Sequence, residues 1–185
     1  MVNTHLHFDH AGGNSWRDPD DASGEARLAF PHARYVVARS EFAYATHTNE
    51  RTAGSYLPSN FAPVAAAGRF DLVEGGAEVV PGVRLLPTPG HTPHHQSVLV
   101  ESAGETACFL ADVIPTAAHL PLPWIMGYDV EPLVTLESKR RLLARAEAAG
   151  WLLVFEHDPR VAWGRVRHDG RQHVLAEHEA AVGGG

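Results

Sequence analysis

The stretch Thr4-His5-Leu6-His7-Phe8-Asp9-His10-Ala11-Gly12-Gly13-Asn14 places four candidate metal ligands within six residues. His5 and His7 are two residues apart, so in an extended backbone both side chains project to the same side. Asp9 and His10 are adjacent, and a turn is needed to direct both toward one point. The Gly-Gly pair that follows supplies conformational freedom where the chain leaves the cluster. The pattern indicates a metal site around which the rest of the chain is organised.

Three further residues are candidates to complete such a site. A two-metal centre needs about three or four nitrogen or oxygen ligands per ion and an open position for water or substrate. His91, Asp112 and His157 each follow an apolar, strand-like run and precede loop residues. Because residues at the ends of strands combine a firm backbone with a side chain that faces a loop-lined cleft, we expect these three to converge.

The composition limits the class of protein. Lys and Arg total 15 against 22 Asp and Glu, and the net charge of −7 argues against binding nucleic acid or an anionic membrane. The single cysteine excludes an internal disulfide and suits a reducing compartment. We find neither a leader pattern at the start nor an apolar run of ~20 residues, and therefore expect a cytoplasmic protein. The length predicts one domain over residues 1–179, followed by a disordered tail at 180–185.

Periodicity and turn residues predict a mixed α/β secondary structure. Short β segments separated by Gly and Pro turns are expected from residue 70 to Asp112. The clearest helix is expected from Glu131 to Ala149, with Gly150 at its C′ position and the run Lys139-Arg140-Arg141 on a solvated face. The remaining elements expected are helices at 21–28, 40–46 and 61–67, and strands at 33–38, 151–155, 161–166 and 173–177.

The ordered motifs resemble those of the metallo-β-lactamase-fold superfamily of metallohydrolases. The similarity rests on His5-x-His7-x-Asp9-His10, on His91 in Thr-Pro-Gly-His-Thr-Pro, and on Asp112 and His157, in that order over residues 4–158. Residues 78–98 further resemble the branch that contains N-acyl-homoserine lactonases. The resemblance implies an α+β fold, an αββα sandwich, and a hydrolase that cleaves an ester, lactone or thioester of a small molecule.

The resemblance also implies roles for the seven candidate ligands. His5, His7 and His91 would hold one divalent ion, Asp9, His10 and His157 a second, and Asp112 would bridge both. A set of imidazoles and carboxylates without thiolate suits Zn²⁺ best, and also Mn²⁺, Fe²⁺ or Co²⁺. A hydroxide between the metals would attack a carbonyl carbon. Asp9 and Asp112 are therefore the residues with catalytic roles, and Asp9 could pass a proton to the leaving group.

The chain departs from the lactonase pattern beside the site. The lactonases carry a tyrosine three residues after the bridging aspartate, where this sequence has Pro115, and His94 stands where glycine is common. Tyr128, on the proline-rich apolar loop 115–132, could replace the tyrosine. The candidates for the substrate pocket are His119, Trp124, Met126 and Tyr128, although the two aromatics are equally compatible with anchoring the loop.

The start of the chain departs from the fold as well. Only three residues precede Thr4, so we expect the N-terminal strands of the first β-layer to be missing, with apolar surface exposed and association into a homo-oligomer possible. Two other functions stay open: a phosphodiesterase or ribonuclease-like metallohydrolase, which the net charge argues against, and a truncated, non-catalytic homologue that only binds metal.

Overall fold

A computed structural model describes residues 1–20 and 22–180, the last four of these by their backbone alone. The chain divides into two compact units, Met1–Gly75 and Gly76–Gly185. The predicted tail at 180–185 lies outside the described residues except for Ala180. Whether the chain is one independently folding domain stays a prediction.

Among its described residues, the first unit combines short strands with three α-helices. The strands are β1 (Ser15–Arg17), β2 (Ala26–Leu28), β3 (Tyr35–Ala38) and β4 (Phe70–Val73), and the helices are α1 (Phe8–Ala11), α2 (Arg39–Ala45) and α3 (Pro58–Ala66). β1 pairs antiparallel with β2, and β3 pairs parallel with β4. Parallel strands need a long crossover connection, and α2 and α3 lie within that connection. Val2 forms a parallel bridge to Val36 in β3, which fixes the chain immediately before the His5 motif.

The core of the first unit lies directly under that motif. Leu6, between two of the candidate ligands, is fully buried. The buried residues that form one cluster with it are Ala11, Val37, Ala45, Tyr56 and Phe61. Burial of an apolar side chain stabilises a fold by roughly 1.5–3 kcal/mol, so the packing of Leu6 holds the backbone of both flanking histidines in place.

The second unit is built on a larger sheet. Its elements are β5 (Glu78–Val80), β6 (Val83–Pro87), β7 (Gln96–Ser102), β8 (Glu105–Phe109), α4 (Pro132–Ala149), β9 (Leu152–Val154), β10 (Val161–His168) and β11 (His173–Ala180). Among the described residues, seven strands form one sheet in the order β11-β10-β9-β8-β7-β6-β5. β8 and β9 are parallel, and their neighbours pair antiparallel. The parallel pair is joined by α4, as a crossover between parallel strands requires.

Helix α4 covers one face of this sheet. Its Leu142, Leu143 and Ala146 are buried in one cluster with Cys108 of β8 and Leu153 of β9. Gly150 ends the helix in the left-handed conformation (φ 63°), the C′ role predicted for it. The helix and the β segments predicted between residue 70 and Asp112 are confirmed.

Two expectations about local structure are wrong. Residues 26–28 of the helix expected at 21–28 form β2, whose pairing with β1 overrides local preference; Asp21 lies outside the described residues. Lys139 is fully buried rather than part of a solvated helix face, although Arg140 and Arg141 are exposed. No helix within residues 1–20 and 22–180 is both long and apolar enough to cross a bilayer.

Candidate metal centre

In the first unit, the four ligands predicted at the start of the chain lie together. The His5 ring centroid is 4.6 Å from that of His7 and 4.0 Å from that of His10. His7 has an extended backbone and immediately precedes α1, whose first turn carries Asp9 and His10. The turn that the sequence required is therefore a short helix. His10 Nε2 lies 3.5 Å from Asp9 Oδ2, and the Asp9 side chain is 41% exposed.

Side chains around the four candidate ligands fix their backbone and ring orientations. The fully buried Glu41 of α2 accepts hydrogen bonds at Oε1 from the backbone N–H of Leu6 (3.0 Å) and from the hydroxyl of Tyr56 (2.9 Å). The Tyr56 ring also packs against the His7 ring, with the centroids 4.7 Å apart. The Thr4 hydroxyl lies 3.1 Å from His5 Nδ1, which makes Nε2 the candidate ligand atom of His5.

In the second unit, Asp112 lies between two histidines. Its Oδ2 is 3.0 Å from His91 Nε2, and its Oδ1 is 3.1 Å from His157 Nε2. Each carboxylate oxygen thus faces a different imidazole nitrogen, as expected of a carboxylate that bridges two metal ions. Ligand atoms of Asp112, Glu156 and His157 all lie within 4.8 Å of one another, so Glu156 is a further carboxylate at this position.

His91 is held by a second carboxylate that the sequence analysis did not single out. Its Nδ1 lies 2.9 Å from Asp129 Oδ1, and the Thr135 hydroxyl donates to Asp129 Oδ2 at 2.6 Å. Burial acts to lower the pKa of His91, but the hydrogen bonds to Asp112 and Asp129 raise the pKa to about 9. A histidine that donates one N–H to a carboxylate presents its other nitrogen in fixed orientation, the usual state of a metal-binding histidine.

His95 positions the backbone of Asp112. The Asp112 N–H donates to His95 Nε2 at 3.1 Å, while His95 Nδ1 lies 3.1 Å from the carbonyl of Thr88 and 2.9 Å from its hydroxyl. Nε2 must therefore accept, and the ring is the neutral Nδ1–H tautomer. Ala111 has φ +50°, a strained conformation for a residue with a Cβ. The hydrogen bonds of His95 therefore hold this strained step into Asp112 in place.

The four candidate pocket residues share one loop. The Tyr128 ring lies 6.1 Å from the His91 ring, and 63% of Tyr128 is exposed. Thr116 holds His119 through a 2.7 Å contact between its hydroxyl and Nδ1, and Met126 is half-buried. Trp124 lines a cavity of ≈ 400 Å³, the other walls of which come from Pro121, Leu122, Pro123, His168, Arg171, Gln172 and His173.

Comparison with known proteins agrees with these motifs. The model of the metallo-β-lactamase superfamily matches residues 1–157.

The chain belongs to the metallo-β-lactamase superfamily.

Its relatives include N-acyl homoserine lactonases. One from a Bacillus species is 40% identical over 161 residues, which are 85% of this chain and 55% of that protein. The lactonase AiiA of Bacillus thuringiensis subsp. kurstaki is 33% identical over the same shares. The chain thus spans about half the length of the curated relatives it matches.

Solved structures show the same superfamily fold. A probable metal-dependent hydrolase from Staphylococcus aureus has a TM-score of 0.80 and 28% identity over 95% of this chain and 61% of that one. An N-acyl homoserine lactone hydrolase, solved with N-hexanoyl-L-homoserine at its catalytic metal centre, has a TM-score of 0.64 and 31% identity over 85% and 54% of the two chains. The expected α+β metallo-β-lactamase fold and the lactonase-like branch are confirmed.

Proposed function

We propose that this protein is a metal-dependent hydrolase that opens a lactone or related ester of a small molecule. The observation that carries the proposal is the Asp112 carboxylate, whose two oxygens lie 3.0 Å and 3.1 Å from nitrogens of two different histidines. The names of the relatives give the substrate class, because they are N-acyl homoserine lactonases at 33–40% identity.

The proposed centre holds two divalent ions, with zinc as the metal. His5, His7 and His91 serve one ion, Asp9, His10 and His157 the other, and Asp112 both. The donor set fits, because it consists of imidazole and carboxylate groups without thiolate, which suits Zn²⁺. The clustering of the rings in the first unit and the position of Asp112 between His91 and His157 in the second support the assignment.

The residues around the proposed centre divide the chemical work. Divalent ions at these ligands would supply a Lewis acid for a carbonyl oxygen and a low pKa for a bound water. Asp112 orients the ligand sphere, and its own backbone is fixed by His95. Asp9, with a partly exposed carboxylate beside His10, can carry a proton to the leaving oxygen. Tyr128, beside His91, can donate a hydrogen bond to the carbonyl in place of the tyrosine missing at Pro115.

Hydrolysis of two substrate classes tests the proposal. The purified, zinc-supplemented protein is assayed with N-hexanoyl-L-homoserine lactone and with a simple phosphodiester. His7→Ala removes a proposed ligand, whereas the matched control His32→Ala removes an exposed histidine. We expect lactone opening by the wild type and His32→Ala that His7→Ala loses. Hydrolysis of the phosphodiester alone, or metal binding without any turnover, would contradict the proposed function.

A further inference from the structure

Lys139 is the only lysine in the 185-residue chain, which otherwise uses arginine for its basic side chains. It lies in α4, and its side chain is fully buried. Burying an ammonium group without partners costs several kcal/mol, so buried lysines are rare unless every donor is matched. The solvated helix face that the sequence predicted does not explain the burial of this side chain.

The Lys139 ammonium group meets three backbone carbonyls of one loop. Its Nζ lies 2.9 Å from the carbonyl oxygen of Pro121, 3.2 Å from that of Leu122 and 2.6 Å from that of Trp124. An ammonium group has three donors and a carbonyl oxygen only accepts, so donors and acceptors match in number. A planar guanidinium would direct its five donors differently and needs more space, which explains why the residue here is not arginine.

The loop held in this way also has support of its own, because Leu122 packs against the apolar core of the second unit. Within its backbone, the Trp124 N–H donates to the carbonyl of Pro121 (3.0 Å). Further along the loop, the Asp129 N–H donates to the carbonyl of Met126 (3.1 Å). Trp124 is 60% exposed, so its ring adds little packing. The same loop continues through Met126 and Tyr128 to Asp129, which orients His91.

The contact of the Lys139 ammonium group with the three carbonyls of the 121–124 loop is called the clamp below. The charges around Lys139 are compatible with a protonated amine in this clamp. Burial lowers the pKa of Lys139 to about 8, and the carboxylate of Asp129 acts in the opposite direction. The charge of Lys139 also acts on His119, whose pKa is lowered first by burial and then by that charge. At pH 7 the amine is therefore largely protonated and the imidazole largely neutral, so that the clamp carries the local positive charge.

We propose that Lys139 is a positioning residue that fixes the 121–124 backbone, and with it the loop that carries the pocket candidates Trp124, Met126 and Tyr128. That these side chains receive the apolar part of the substrate rests on the proposed function, whereas the clamp itself does not. Lys139 should therefore govern the binding of substrate more than the rate of its chemical step.

Amine labelling tests the clamp without any assay of activity. In the variant Arg140→Lys, a second lysine lies one residue further on the exposed side of α4, next to Lys139 in the same peptide. Acetic anhydride at pH 7.5 followed by mass spectrometry compares the two amines directly. We expect Lys139 to be modified at least tenfold more slowly, despite its lower pKa. Equal or faster labelling of Lys139 would overturn the proposal.

Hydrogen exchange of variants tests what the clamp holds. Lys139→Met keeps the length of the side chain but removes the donors, and Arg140→Met is the matched control. We expect faster exchange in Lys139→Met at the amides of Trp124 and Asp129, with α4 unchanged and the control like the wild type. Unchanged exchange at 121–129 would overturn the proposal. If Lys139→Met does not fold, the labelling experiment on the folded Arg140→Lys variant decides.

Kinetics of the same variants test the consequence for substrate. With N-hexanoyl-L-homoserine lactone we expect Lys139→Met to raise KM several-fold while kcat stays within about twofold, and Arg140→Met to change neither. A fall in kcat alone would contradict a role in substrate positioning. A wild-type protein without lactonase activity would refute the proposed function, and the labelling and exchange results would still decide on the clamp.

Discussion

Two carboxylates that are not among the predicted ligands fix the positions of candidate ligands, one carboxylate in each unit. Asp129 lies against His91 and accepts a hydrogen bond from the Thr135 hydroxyl. Glu41 accepts hydrogen bonds from the Leu6 N–H and from the Tyr56 hydroxyl. The sequence carried no spacing signal for either residue, because their partners are distant in the chain and the contacts exist only after folding. The candidate ligands could be singled out from the sequence because a dense cluster and strand-end positions mark them locally.

Replacing Asp129 by Asn is expected to weaken metal binding. Asn keeps a similar shape but cannot provide the charge that raises the basicity of His91, and loss of such a partner lowers metal affinity by about 10–100-fold. Competition for zinc with a chromogenic chelator measures the change, and Asp20→Asn, at an exposed carboxylate, is the control. An affinity equal to that of the wild type would show that Asp129 does not act on the site.

Replacing Glu41 by Ala is expected to destabilise the first unit. Two donors, the Leu6 N–H and the Tyr56 hydroxyl, would lose their buried acceptor, and each unsatisfied group costs roughly 1–3 kcal/mol. Urea denaturation measures the free energy of unfolding, with the exposed Glu50→Ala as control. A loss no larger than that of the control would mean that other acceptors replace the carboxylate.

Lys139 is expected to make the stability of the chain depend on pH in the alkaline range. Its pKa is about 8 in the fold against 10.5 ordinarily, so between these values the unfolded chain binds more protons. The free energy of unfolding of the wild type should therefore rise relative to that of Lys139→Met as the pH increases from 8 to 10.5. Urea denaturation across this range measures the difference; a constant or falling difference would contradict the buried, shifted amine.

At the scale of elements, α4 braces the loop that carries His91. Ser138 donates to the carbonyl of Pro89 at 2.7 Å, and the N–H of Glu131 donates to the carbonyl of Gly90 at 2.8 Å. Gly90 itself has φ +136°, and a Cβ there would overlap the backbone of Thr135. The helix was predictable from its length, Gly150 and apolar periodicity, but its close approach to the His91 loop was not, since it depends on tertiary packing.

Gly90→Ala is expected to displace α4 from the His91 loop. The control Gly104→Ala introduces a Cβ at another positive φ (+82°), but nothing lies within 4 Å of it. Conformational strain alone costs about 1–3 kcal/mol, so a larger loss of unfolding free energy in Gly90→Ala than in Gly104→Ala isolates the clash with α4. Equal losses would show that the helix and the loop are not in close contact.

At the scale of the whole molecule, the family and its fold class follow from motifs in fixed order, and those were visible in the sequence. The pairing of individual strands was not visible in the sequence. β2 forms because Ala26–Leu28 pairs with Ser15–Arg17, where a helix was expected. The burial of Lys139 was equally hidden, because a Lys-Arg-Arg run is typical of a solvated face and only the carbonyls of loop 121–124 make one of its members an interior residue.

Counting bound metal tests the central claim most directly. The protein is purified with zinc, passed through a desalting column and analysed by inductively coupled plasma mass spectrometry beside Asp112→Ala and His32→Ala. Two zinc ions per chain in the wild type and His32→Ala, with a clear loss in Asp112→Ala, is the result predicted for a two-metal centre bridged by Asp112. A folded wild-type chain that retains no metal, or an Asp112→Ala chain that retains both ions, would contradict it.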